Sequence, residues 1–399
     1  CFRAETSWLN RSFGGGARRM SVQASVSKVG LGGFTDLGLD KTLCTQFQQD
    51  SSFSKTLDYR LASEYTLPYF FSPRNQFNIG VYTERISEPT VYQRQAYGGQ
   101  VGITHRLKTR RIINVSLDLA RVRTVASPVL FCSAFQICIP EQIARLTQSR
   151  VRNTLSVNYA DDHTDNPIDP THGHSMRSTV AYATPWLSSS VSFVRWTGEA
   201  AYYRRIGSGN VLALSARFGN FFRTASLDPE ATTREFVPPE ERFFAGGATT
   251  VRGYARNQLG GGVYLTNDQS IVTDSVHADF IPTGGTSLGI INIEVRAPSP
   301  IFARQLRLAA FVDAGMVGNR NLWHIGRDQW RFTPGVGARA TTPVGPIRVD
   351  VAYNGYPPVA GPLFQTQDEL LVPVDPSFRP SSGGFFSRFR MQVGIGQAF

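Results

Sequence analysis

The stretch Arg242-Phe243-Phe244-Ala245-Gly246-Gly247-Ala248-Thr249-Thr250-Val251-Arg252-Gly253-Tyr254 lies in a long glycine-rich interval between two segments that alternate like β-strands. It reads as a loop that enters something, not as a strand. Gly246, Gly247 and Gly253 permit positive φ angles and close packing against a wall. Arg252 offers a planar cation suited to a carboxylate partner. Such a loop requires a large, polar, enclosed space, and the flanking sequence shows what supplies it.

The 399 residues contain 37 glycines, 12% aromatic residues and only 18% charged ones, a low charge content for a soluble chain of this size. No compositional break divides them into domains. No run of 18 or more apolar residues occurs, which excludes an ordinary transmembrane helix. A large soluble β-protein or a transmembrane β-barrel remains, since barrel strands alternate and their hydropathy averages out. The net charge of +11 suits anionic lipid, nucleic acid or an acidic substrate. The arginines are scattered through alternating segments without the basic stripe that nucleic-acid binding needs, so no nucleic-acid partner is expected. Cys1, Cys44, Cys132 and Cys138 form no Cys-x-x-Cys pair and suggest no metal site. Cys132 and Cys138 close a short interval that is either bridged in an oxidising compartment or left as two thiols in a loop.

Residues 1 to 12 are poorly patterned, and Asn10 to Gly16 reads as a turn. Met20 to Val29 then alternates over ten residues, about the length that crosses a bilayer at a tilt. Similar segments follow at about 54–68, 76–90, 94–108 and 110–125, and Val101, Ile103 and Leu107 share one face of the third of these. A polar loop of about twenty residues holds the two close cysteines and leads to a strand at Val151–Tyr159. The stretch from Asp161 to His174 is the most acidic and histidine-rich in the chain. Its Asn-Pro, Asp-Pro and His-Gly steps are turn chemistry, so a turn without a metal site is expected there.

Strands recur at about 174–184, 193–206 and 211–222, and after the interval 223–285 a strand at about 286–297 and four more close the chain. Asn292, Glu294 and Arg296 take one face of their segment and the isoleucines the other. Arg307 and Asp313 oppose Leu306, Leu308 and Val312, while Arg348 and Asp350 oppose Ile347, Val349 and Val351. Repeated charges on one face and unbroken aliphatics on the other fit lipid outside and a polar lumen inside. Arg152 is expected on the lumen face too, and Val393 on the lipid face. The predicted fold is therefore an all-β, transmembrane antiparallel β-barrel.

The last segment, Phe389 to Phe399, alternates and ends on an aromatic residue; Phe399 resembles the C-terminal sorting signal of bacterial outer-membrane barrels. Phe243 through Tyr254 resembles the sixth-loop motif of the outer-membrane protein assembly factor superfamily, the BamA/TamA-type barrels or surface antigen family. That superfamily also takes in two-partner secretion transporters, the mitochondrial sorting barrel and the chloroplast import channel. Asn166-Pro167 through Gly173 is similar to a periplasmic turn of the family, with His172 where the family often has arginine. Asn292-x-Glu294-x-Arg296 and Phe311-x-Asp313-x-Gly315 resemble strands twelve and thirteen, and Thr342 to Pro346 the turn before strand fifteen.

The resemblance implies a barrel of the 16-strand type over residues 1–399, here lacking strand one and part of strand two on a count backward from Phe399, with the periplasmic substrate-binding repeats absent. Residues 222–285 become the long sixth extracellular loop, folded into the lumen. Gly246, Gly247, Val251, Arg252, Gly253 and Tyr254 become its motif, and Glu294, Phe311, Asp313 and Gly315 the partners on the lumen wall. Arg252 is expected to pair with Asp313, with Glu294 as second acceptor. Pro238-Pro239 and Asp268 are expected to be more open to protease than Arg252.

The implied function is that of an insertase or translocase assembling β-barrel or autotransporter-like proteins at the bacterial outer membrane, or at an organelle's outer membrane. It involves no catalytic residue, metal or cofactor. The implied partners are outer-membrane lipid, unfolded outer-membrane protein substrates, and periplasmic chaperones or accessory lipoproteins. The alternatives are a two-partner-secretion polypeptide pore and a lipase-linked barrel or porin. No Gly-x-Ser-x-Gly elbow supports a hydrolase, and the run to Gly253 lacks the Gly-Lys-Ser/Thr ending of a nucleotide loop.

Overall fold

A computed structural model describes residues 2–29, 56–88, 91–135, 141, 143–144, 147–207, 209–226, 237–266, 278–301, 305–320, 322, 326–342, 345–367, 370–381 and 383–396. Fifteen strands form one antiparallel sheet, each paired with the next barrel strand in the chain. The first ten are β1 (Phe2–Asn10), β2 (Arg19–Val29), β3 (Asp58–Pro68), β4 (Asn75–Glu88), β5 (Tyr92–Lys108), β6 (Arg111–Ala126), β7 (Arg150–Asp162), β8 (Gly173–Ala183), β9 (Val191–Ile206) and β10 (Asn210–Ser226). Between β10 and the next barrel strand lie two short strands, β11 (Gly262–Thr266) and β12 (Asp279–Pro282). The sheet continues through β13 (Ser287–Pro298), β14 (Leu306–Gly318), β15 (Arg331–Thr342) and β16 (Gly345–Tyr353). After β17 (Gly361–Gln367) and β18 (Leu370–Phe378) it ends at β19 (Phe389–Ile395). No described helix is long and apolar enough to cross a membrane.

The two-residue period decides the faces. Ile291, Ile293, Val295, Leu308, Val312, Val349 and Val393 are exposed, whereas Asn292, Glu294, Arg296, Asp313, Arg348 and Asp350 are buried. A continuous band of exposed aliphatics opposite a buried charged face is what a sheet in lipid presents. Exposed aromatics concentrate at the two ends of the strands, with Tyr69 and Phe71 in the β3–β4 connection and Trp186, Phe385 and Phe386 at the other end. Rings of this kind settle at membrane interfaces. Connections at the Tyr69 end are short, as at residues 109–110 between β5 and β6 and 163–172 between β7 and β8, whereas those at the Trp186 end include residues 127–149, 227–286 and 354–388.

Residues 1 to 12, unpatterned in the sequence, contribute the nine-residue strand β1, held by backbone pairing with β2 from Phe2↔Val29 to Asn10↔Met20. Backbone hydrogen bonds do not need an alternating side-chain pattern, and nearly every β1 side chain is exposed. Counted back with β19 as the sixteenth strand, β14 and β13 fall thirteenth and twelfth, and β1 falls second. Among the described residues no pairing joins β1 to β19.

The long-connection end carries two features that the sequence reading leaves out. Residues 128–135 form a helix, α1 (Pro128–Phe135), in the stretch read as a polar loop. Its Val129 and Cys132 pack with Val263, Ile281 and Phe364, so the apolar run is buried against tertiary neighbours and shows no periodicity of its own. Those neighbours belong to a four-stranded sheet ordered β12-β11-β17-β18, in which β11 and β17 run parallel. Cys132 is disulfide-bonded; Cys1, Cys44 and Cys138 lie outside the described residues, as do Asp268 and Phe399.

Nitroxide labels replacing Leu308, Val349 or Val393 are expected to be relaxed by dissolved oxygen, and labels at Arg152 or Arg307 by a water-soluble nickel chelate. Leu308→Arg should destabilise the folded barrel in lipid by about 2–4 kcal/mol, read from urea titration of the heat-shifted gel band. Equal tolerance of arginine at Leu308 and at an exposed turn position would contradict the assigned face.

Candidate functional site

The backbone of residues 243–259 is knotted on itself before it meets the wall. Gly246 and Gly247 adopt φ of 111° and 100°, and a Cβ on Gly246 would stand 2.3 Å from the Ala255 carbonyl oxygen. The Gly247 amide donates to the Tyr254 carbonyl at 3.0 Å, the Leu259 amide to the Ala245 carbonyl at 2.9 Å, and the Gly246 amide to Thr250 Oγ1 at 2.9 Å. This folding gathers Ala245, Val251, Tyr254 and Leu259 into an apolar cluster with Ile290 of β13. Arg252 is left projecting at the wall.

Two glycines set how closely loop and wall approach. A Cβ on Gly253 would lie 2.4 Å from Thr333 Cγ2 of β15, and one on Gly315 of β14 would lie 2.4 Å from Val251 Cγ2. Both positions exclude a side chain unless the loop retreats.

Arg252 is 1% exposed. Its Nε donates to Asp313 Oδ2 at 2.8 Å and its Nη2 to Asp313 Oδ1 at 2.8 Å, the bidentate fork that binds a carboxylate most specifically. Its backbone amide donates to Asp313 Oδ2 at 2.9 Å. Nη1 donates to Glu294 Oε2 at 2.6 Å and reaches Asp350 Oδ2 at 3.4 Å. The guanidinium carbon lies 3.3 Å from the centre of the Phe311 ring, a cation–π contact over a desolvated face. Asn292 Nδ2 joins loop to wall by donating to the Thr250 carbonyl at 2.7 Å and to Asp313 Oδ1 at 2.8 Å.

The surrounding charges form one network. Arg296 Nε donates to Glu294 Oε1 at 2.9 Å. Arg339 bridges Glu294 at 3.0 Å and Asp350 at 2.5 Å, and Arg348 approaches Asp350 at 3.5 Å. Asp169, from the β7–β8 turn, stands 3.8 Å from Arg296 and 3.2 Å from Arg307. Arg252, Arg296, Arg307, Arg339 and Arg348 thus face Glu294, Asp313, Asp350 and Asp169, five cations against four anions. Burial works against the Arg252 cation, but Asp313, Glu294 and Asp350 outweigh it and hold its proton more tightly than usual.

A second anchor lies upstream. Pro238 and Pro239 are buried, contrary to the expected open site, because the short 3₁₀ turn Pro239–Glu241 seats two carboxylates against the opposite wall. Glu241 meets Arg152 of β7 at 2.5 Å and Arg195 of β9 at 2.6 Å, and Glu240 pairs with Arg150. Further on, Arg256 forks onto Glu88 of β4 at 2.7 and 3.0 Å. Gln392 Nε2 of β19 donates to the Tyr254 carbonyl at 3.1 Å and to that of Arg252 at 3.4 Å. One segment therefore touches β4, β7, β9, β13, β14, β15, β16 and β19, which a flat sheet does not allow. The sheet curls around it.

Sequence parity had placed Arg348 and Asp350 on this face without joining them to Arg252. Arg339, Asn292's bridging role, Gln392 and the Glu241 anchor were missed. Each sits on a different strand or turn, and only a polar or charged residue at an inward position signals it.

The Omp85 superfamily domain matches residues 13–399. The outer membrane protein assembly factor BamA of Neisseria meningitidis serogroup B is 24% identical over 223 residues, which cover 50% of this chain and 26% of that protein. The chain thus spans about a quarter of that relative's length. The crystal structure of BamA from Haemophilus ducreyi lacking POTRA domains 1–3 is similar with a TM-score of 0.65 at 14% identity, over 99% of this chain and 67% of that one. That likeness is one of fold.

Arg252→Ala and Asp313→Ala should each weaken loop docking by about 3–5 kcal/mol, because each strands an opposite charge in a buried place. Trypsin cleavage near Arg256 of the folded barrel should accelerate in both, and the double variant should be little worse than either. Arg252→Lys should restore docking poorly for want of the fork; full rescue by lysine would contradict the geometry.

Acid should release the upstream anchor. Burial alone would raise the Glu241 pKa, but Arg152, Arg195 and Arg94 pull it from an ordinary 4.5 down to about 2. A depressed carboxylate pKa stabilises the docked state above the ordinary value, and that contribution is lost as pH falls through the folded one. Pepsin cleavage around Glu241 should therefore rise between about pH 4 and 2, and Glu241→Gln should remove that pH dependence. A constant cleavage rate over that range in the unaltered protein would refute the anchor's assignment.

Proposed function

The chain belongs to the Omp85 superfamily and is an outer-membrane β-barrel, and on that premise we propose that it is an insertase that assembles β-barrel or autotransporter-like proteins into the outer membrane. Residues 222–285 act as the sixth extracellular loop folded into the lumen, and the Arg252 network is its anchor. Unfolded outer-membrane proteins are the substrates, outer-membrane lipid is the medium, and periplasmic chaperones or accessory lipoproteins deliver or assist.

The observation that carries this reading is the link between the loop and β19. Among the described residues β19 pairs only with β16, and in this reading its other edge opens during assembly to present backbone donors and acceptors. Such an edge templates an incoming strand. Gln392 of that same strand holds the carbonyls of Arg252 and Tyr254, so the loop anchor and the templating edge share one strand. The event promoted is folding, driven by backbone hydrogen bonds that lipid leaves no other way to satisfy, and it needs no covalent chemistry.

The full-length protein, reconstituted in liposomes, should speed the appearance of the heat-shifted folded form of an unfolded barrel substrate. A photo-crosslinking residue replacing Met391 or Val393 should capture that substrate during assembly, whereas one replacing Ala200 in β9 should not. Passage of an unfolded polypeptide into the liposome lumen, without faster barrel folding and without β19 crosslinks, would replace this reading by that of a secretion pore.

A further inference from the structure

The β7–β8 turn brings together three side chains that the Arg252 network does not use. Asp161 is the penultimate residue of β7, His163 follows two residues on, and His174 is the second residue of β8. The His163 amide donates to the His174 carbonyl at 2.8 Å. The two imidazoles stack with centroids 5.0 Å apart and planes 15° from parallel. Gly173, at φ 112°, permits this: a Cβ there would stand 2.1 Å from the His163 carbonyl oxygen. His163 Nδ1 lies 2.7 Å from Asp161 Oδ1. One donor atom from each of Asp161, His163 and His174 lies within 4.8 Å of the other two.

Turn chemistry accounts for the neighbouring residues but not for these. Asp165 accepts from the Thr171 amide at 2.9 Å, the Thr171 hydroxyl at 2.5 Å and the His172 amide at 3.1 Å. Asn166 accepts from the amides of Ile168 and Asp169 at 2.8 and 3.2 Å. Asp161 Oδ2 is also committed, accepting from Arg111 Nε at 2.8 Å and the Tyr159 hydroxyl at 3.4 Å. Those two bonds fix the carboxylate and leave Oδ1 aimed at the histidines.

We propose that Asp161, His163 and His174 form a binding site for a divalent transition-metal ion of the zinc class. Two imidazoles and one carboxylate oxygen suit Zn²⁺, Ni²⁺ or Cu²⁺ and not the oxygen-seeking Mg²⁺ or Ca²⁺. Metal–ligand bonds of about 2.0–2.2 Å place tetrahedral donor atoms about 3.3 Å apart. The Asp161–His163 contact opens slightly to meet that spacing, and His174, which is exposed, turns inward. Three protein ligands leave a fourth position for water. Arg111 orients the carboxylate through its other oxygen, as outer partners of metal ligands do. The ion would tie the end of β7 to the start of β8 and so brace the turn whose Asp169 reaches Arg296 and Arg307.

The test uses the full chain in detergent, purified without a histidine tag and titrated calorimetrically with ZnCl₂. One saturable site in the micromolar range is expected, with MgCl₂ giving no signal. His163→Ala and His174→Ala should each weaken zinc binding about tenfold or more, while His172→Ala, in the same turn, should leave it unchanged. A heat-shifted gel band verifies that each variant is folded. In the unaltered protein, Zn²⁺ should protect His163 and His174 from diethyl pyrocarbonate but leave His172 reactive, which needs no variant. Absence of saturable zinc binding, or binding and protection that persist without His163 and His174, would overturn the proposal.

Discussion

A guanidinium that is 1% exposed is tolerable only where opposite charge and hydrogen-bond acceptors surround it, and the Arg252 pocket is built to that requirement. Removing two charges from water costs several kcal/mol per ion even after relaxation. Asp313 answers with both oxygens and Glu294 with one, and Phe311 covers the remaining face. The glycines at 253 and 315 follow from the same requirement, since a side chain at either would hold the fork away from its acceptors. So does the parity of β13, β14, β15 and β16, whose inward positions must carry the matching charges.

An ionic anchor also selects one docking register. Asp313 and Asn292 are directly paired across β14 and β13, and a slip of one residue would turn the carboxylate out among Leu308 and Val312. Every side chain changes face in such a slip, and a charge placed in lipid is costly. An apolar contact of equal area would not discriminate so sharply. The charge network reaches from the loop motif to Asp169 in the β7–β8 turn, so it ties the loop to the short-turn end of the sheet.

Two anchors on opposing walls keep the segment within the sheet. Glu241 holds β7 and β9, whereas Arg252 holds β13, β14 and β16 by way of Glu294, Asp313 and Asp350. The apolar cluster around Val251 and Ile290 lies between these polar contacts. Gln392 extends the second anchor to β19, the strand whose outer edge is unpaired among the described residues.

Alternation is a local property of an extended chain, and for that reason the sequence alone determined most of the sheet. Val101 and Ile103, or Arg348 and Asp350, declare their faces by spacing, and lipid on one side enforces the rule strictly. The motif around Arg252 and the carboxylates at 294 and 313 were legible through resemblance and parity together. Tertiary structure decided what depends on the curvature of the sheet. Helix α1 and the four-stranded sheet are assembled from segments of 4 to 9 residues far apart in the chain, too short and too apolar to show a period. Arg339 and Asp350 became neighbours of Arg252 only because the sheet curls. Asp161, His163 and His174 looked like ordinary turn residues until the pairing of β7 with β8 placed two of them ring against ring. Side-chain direction along a strand is set by the backbone, but which inward side chains meet is set by how the whole sheet bends.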